Sequence, residues 1–93
     1  MSGLTLGNNS ALTSIYCYNN NLTTLDFSNC NNLTEVGIEN NNLSQIEVDN
    51  ILTNLISFNK SGVDFDASNQ NPLITPNPTL VSDLQLIWTL VNV

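Results

Sequence analysis

Any chemistry in this sequence would fall to a few side chains: Tyr16, Tyr18, Glu35, Glu39, Asp64, Asp66 and Thr89. Two tyrosines beside carboxylates suit a sugar, a basic partner or a cation. A pair of carboxylates can hydrolyse a glycoside, but only with one of them raised in pKa inside a cleft. Asp64-x-Asp66, with Asp26 or Glu39 nearby, offers calcium far fewer oxygens than the six to eight or so it takes. Serine and threonine are plentiful, yet there is no histidine to activate them, and Lys60, the sole basic residue, falls in a turn-forming stretch. The sequence therefore predicts no catalytic residue, no metal and no cofactor. Against any binding role stands the plainer reading that these are ordinary solvent-facing strand positions.

The chain has 93 residues and a formal charge of −7, and about a fifth of it is asparagine. That length makes one domain with a small core. Its acidity opposes nucleic acid and anionic membrane surfaces. No apolar run approaches the ~18 residues of a membrane span, so no membrane insertion is expected. The opening MSGLTLGNNS has neither the basic region nor the apolar core of a secretory signal. Five N-x-S/T triplets, at Asn8, Asn21, Asn32, Asn42 and Asn59, are what chance gives in so Asn-rich a chain.

What must position those side chains is a pattern written twice, LTSIYCYNNNLTTLDFSNCNN from Leu12 and LTEVGIENNNLSQIEVDN from Leu33. Leu12 pairs with Leu33, Ile15 with Val36, Cys17 with Ile38, Asn20 with Asn41, Leu22 with Leu43, Leu25 with Ile46 and Phe27 with Val48, each 21 positions apart. A fixed period in the order L-x-x-L-x-L-x-x-N-x-L is the signature of a leucine-rich repeat solenoid. Strand alternation puts Ile15, Cys17, Val36 and Ile38 inward and Tyr16, Tyr18, Gly37 and Glu39 outward. Asn20 and Asn41 sit among inward apolar residues, which predicts a ladder of amides bonded to the backbone of adjacent turns. Leu22-x-x-Leu25-x-Phe27 reads as a return leg, irregular or a short strand. Leu4 and Leu6 lie 21 before Leu25 and Phe27. An apolar end made by Leu4, Leu6, Leu12 and Ile15 is therefore expected to be exposed and to dock in an assembly.

From Val48 the register changes, dividing the domain into repeats (1–47) and a C-terminal cap (48–93). Apolar residues at 48, 51, 52, 55, 56 and 58 predict a helix, started by Asp49 or the preceding turn and stopped by Asn59-Lys60-Ser61-Gly62. Glu47 and Asp49 read as acids favoured by the helix dipole. Val63–Asp66 alternates as a strand with Val63 and Phe65 inward. A proline-punctuated loop runs through Asn77-Pro78, Thr79–Leu86 reads as a helix, and Trp88–Asn92 as a closing strand with Trp88 in the core. Cys17 and Cys30 occupy inward positions, where a free thiol packs as a small hydrophobe.

The segments YCYNNN (Tyr16–Asn21), LTTLDFSN (Leu22–Asn29), DNILTNL (Asp49–Leu55), GVDFDAS (Gly62–Ser68), Pro72 and WTLV (Trp88–Val91) resemble the leucine-rich repeat domains of Bacteroidetes and their phages. The likeness spans nearly the whole chain. It departs at Leu86-Ile87, where glycine often precedes the tryptophan, and in the small number of repeats. The resemblance implies an α/β fold: a short leucine-rich repeat solenoid with a parallel sheet and an α-β-α-β cap. It also implies a recognition or structural role. The expected function is a non-enzymatic structural or decoration subunit of a phage-like virion, docking on other protein subunits. The alternative is an adhesion module at a bacterial cell surface, binding glycan or protein by the Tyr16/Tyr18 face.

Overall fold

The computed structural model describes residues 3–5, 7, 9–27 and 29–93. Alternating short strands and two helices form a small α/β fold with parallel strands in two sheets. The strands are β1 (Gly3–Thr5), β2 (Ser14–Tyr16), β3 (Thr24–Asp26), β4 (Glu35–Gly37), β5 (Gly62–Asp66) and β6 (Trp88–Asn92); the helices are α1 (Gln45–Phe58) and α2 (Pro78–Gln85). The larger sheet runs β2-β4-β5-β6 and the smaller is β1-β3. The 21-residue period is the pairing register itself: Leu4 lies beside Leu25, Ile15 beside Val36 and Tyr16 beside Gly37. Between the sheets lie Leu22, Leu25, Phe27, Leu33, Val36, Ile38 and Leu43, all buried.

A buried row of amides ties these turns together. Asn41 Oδ1 accepts from Asn20 N and Leu22 N, both at 3.0 Å, while its Nδ2 donates to Cys17 O, Ile38 O and Glu39 O. Gln70 repeats the arrangement one strand on, accepting from Leu43 N and donating to Ile38 O and Ala67 O. The chain corners beside this row at Asn19, Asn40 and Asn69, each in the left-handed region. Asparagine tolerates that conformation better than other non-glycine residues.

The register fails where helix α1 replaces a second return strand. The helix starts three residues earlier than the periodicity suggests, because Ser44 caps it, accepting from Glu47 N at 3.2 Å. Val48, Ile51, Leu52 and Leu55 make its buried stripe, and Ile46, paired in sequence with inward Leu25, is left 73% exposed. Helix periodicity overrides the alternation there. The helix ends as expected at left-handed Asn59. Asp49 does not cap α1; its Oδ1 accepts from Asn77 N at 2.8 Å and so fastens the start of α2. Asn77 in turn caps α2 ahead of Pro78.

Val63 is 55% exposed rather than inward. Gly62 and Phe65 take the places of Leu33 and Val36, so Val63 falls where Thr34 lies in the preceding strand. The missing side chain at Gly62 makes room for Trp88, the residue beside it in β6. The Trp88 ring is buried and meets Phe65 edge-on at 6.4 Å. Both cysteines are free thiols, Cys30 buried and Cys17 half-buried. No helix among the described residues is long and apolar enough to cross a membrane.

Candidate functional site

Pairing across the larger sheet sorts its outward side chains into two rows. One runs Ser14, Glu35, Asp64, Leu90; the other runs Tyr16, Gly37, Asp66, Asn92. The sheet thus brings together Tyr16, Glu35, Asp64 and Asp66, with Tyr18 and Glu39 just beyond their strands. Thr89 is not part of it, because Trp88 and Val91 face the core and Leu90 takes the outward position. Leu90, 60% exposed beside Asp64, is the member of this face that sequence reading missed. Its signal was the Trp88-to-Val91 spacing, which repeats the three-residue step from Gly62 to Phe65.

Both tyrosines are exposed on the face, Tyr16 at 57% and Tyr18 at 49%. Tyr16 lies over Gly37, where an added methyl group would come within 2.9 Å of its Cδ1. Glycine at 37 is therefore covered rather than solvent-facing, and it lets the ring lie flat. The Tyr16 hydroxyl donates to Glu35 Oε2. Asp66 is committed locally, its Oδ1 accepting from Ser68 N at 3.0 Å and from the Ser68 hydroxyl at 2.6 Å. Glu39 Oε1 is shielded from water and has no partner among the described residues. Lys60 lies in the exposed stretch between α1 and β5, not on this face.

That hydrogen bond to Glu35 raises the Tyr16 pKa above its ordinary 10.0, with desolvation and the charges of Glu35 and Asp64 acting the same way. Burial raises the Cys17 thiol, and the charge of Glu39 adds to it. Because the folded Tyr16 pKa exceeds its unfolded value, its contribution is complete below about pH 10 and is lost as pH climbs through the folded value. Glu35→Gln should lower the folded pKa toward 10.0. The near-ultraviolet absorbance of tyrosinate, followed through an alkaline titration, reads this directly. Superimposable curves for the two proteins would refute the Tyr16–Glu35 coupling.

Leu4, in β1, and Leu12, just before β2, are half-buried against the core rather than fully exposed. Ile15 departs from expectation: only 6% exposed, it belongs to the core beside Val36. Leu6 lies outside the described residues. No described strand lies beyond β2. Asn20, the counterpart of Asn41, spends its Nδ2 on Cys17 O and Tyr18 O, and no described residue donates to its Oδ1.

A cavity of about 410 Å³ opens on the other side of the molecule, between β3 and α1. It lies where the helix supplants a return strand, and nothing in the repeat pattern announced it. Among the described residues no group of three or more His, Cys, Asp or Glu side chains could hold a metal ion. No protein-family model, curated protein or solved structure matches the chain.

Proposed function

We propose that the chain is a short leucine-rich repeat solenoid, without enzymatic activity, that docks on protein subunits through the free edge of β2. The observation that carries this reading is the unfilled end of the amide row. Where Asn41 meets the preceding turn, its Oδ1 takes two backbone N–H groups and its Nδ2 a carbonyl. At Asn20 the corresponding oxygen accepts from no described residue, beside the edge of β2 and near the half-buried Leu12. The occupant such an edge selects is an extended protein segment that adds a parallel strand and turns N–H groups toward Asn20. The net charge of −7 disfavours nucleic acid and anionic lipid as alternatives. Resemblance to phage and Bacteroidetes domains supports a structural or decoration subunit of a virion, docking on its own kind or a neighbouring subunit.

A second reading, an adhesion module at a virion or cell surface, is favoured by Tyr16 and Tyr18 standing exposed over Glu35 and Glu39. The mass in solution across a concentration series separates the two. Docking by the edge predicts oligomers that disperse in Ser14→Pro and in Leu4→Asp. Ser14 opens the edge strand, where proline is tolerated but blocks a further strand. A folded monomer at every concentration would overturn self-assembly through this edge and leave docking on a different subunit or binding by the tyrosine face.

A further inference from the structure

The geometry points to a saccharide-binding site in the cavity between β3 and α1, on the side of the molecule away from the tyrosine face. Its volume, about 410 Å³, falls inside the roughly 300–1,000 Å³ of small-molecule sites. The cavity exists because two elements of different period meet. The β1-β3 pair ends its sheet at β3, and α1 packs beside that strand where another would have lain. Leu25 and Ile51, both buried, form the apolar floor.

Polar groups surround that floor from both elements. Glu47, Asn50 and Asn54 follow at three- and four-residue steps, so one face of α1 presents a carboxylate and two amides. Thr24 and Asp26 face them from β3. Among the described residues nothing bonds to the side-chain amides of Asn50 or Asn54. Each amide holds two N–H donors and an acceptor in reserve.

Elimination then narrows the ligand. Two carboxylates in a chain of charge −7 repel anions. A hard cation would find two carboxylates among the roughly six to eight oxygens it takes, and the described residues hold no cluster of three acidic, cysteine or histidine groups. No aromatic side chain lines the cavity to stack a nucleobase or other planar ring. What fits is a ligand with many hydroxyls and an apolar C–H face. Its hydroxyls donate to the Glu47 carboxylate and the amide oxygens and accept from the amide N–H groups, while the C–H face rests on Leu25 and Ile51. A mono- or disaccharide has that character.

The site is independent of the β2 edge, and the two stand or fall separately. The experiment is a titration of the isotope-labelled full chain with maltose, cellobiose, lactose and diacetylchitobiose, followed by amide NMR. At least one sugar should give saturable shifts at the Asn50 and Asn54 side-chain amides and at the Leu25 backbone. Asn50→Ala and Asn54→Ala should each weaken that affinity tenfold or more. Both variants should keep the thermal midpoint, because alanine is the best helix former. Absence of saturable shifts with all four sugars would overturn the assignment. So would shifts confined to the Tyr16–Glu39 face, or unchanged affinity in both variants.

Discussion

Asn41→Leu should cost about 3–5 kcal/mol and leave the protein unfolded or barely folded at 25 °C. Asn41 is 1% exposed, and one side chain serves five backbone groups. Leucine has the same branched outline but is bulkier, and it leaves the Asn20 and Leu22 N–H groups with no replacement acceptor, the second of them with little water. Each such orphan costs roughly 1–3 kcal/mol, and a domain of this size has only about 5–15 kcal/mol in total. The unfolding midpoint in urea reads the loss. Asn20→Leu is the control, because its amide serves only exposed carbonyls at the end of the row, and it should cost about 1 kcal/mol or less. Equal midpoints for the two variants would mean that the row does not hold the turns together.

Gly62→Ala should be the second severe change, at about 3 kcal/mol. A methyl group there would lie 2.0 Å from Trp88 Cδ2 and Cε2, atoms of a rigid ring closed in by Phe65. The ring is 3% exposed and packed on Phe65, so β6 must shift or the indole must leave the core. A red-shifted tryptophan emission together with a lowered thermal midpoint reports it. Gly37→Ala provides the comparison, since there the crowded atom belongs to the exposed Tyr16, which swings aside at about 1 kcal/mol or less. If the two glycines tolerated alanine equally, Trp88 would not be the wedge that closes the sheet.

Much of this fold was legible because the repeat signal and the pairing register are one quantity. The 21-residue offset that matches Leu4 to Leu25 and Ile15 to Val36 in sequence is the offset at which their strands pair. Asn41 was readable for the same reason, being a polar residue locked into an apolar period. Legibility ended where two periods competed for one stretch. Gln45–Val48 alternates well enough for a strand, and only the Ser44-x-x-Glu47 cap tells that the helix wins. Gln70 continues the amide row at an offset of 29 from Asn41, so no fixed period could find it. The outward tyrosines and acids were foreseen from alternation alone. The β3–α1 cavity was not, because it is made by a mismatch between elements rather than by a pattern within either.

The left-handed corners also bear on how this protein ages. Asparagine is a thermolabile residue, and the corners at Asn19, Asn21, Asn40, Asn59 and Asn69 are all solvent-exposed. Aspartate accepts the same backbone conformation, so a deamidation there that ends in aspartate adds negative charge and keeps the chain path, whereas one that ends in isoaspartate lengthens the main chain at the corner. Asn41 has the opposite fate. A carboxylate in its place would aim an oxygen at the carbonyls of Cys17, Ile38 and Glu39. Old preparations should therefore become steadily more acidic at the exposed corners well before damage reaches the amides that burial protects, Asn41 and Gln70.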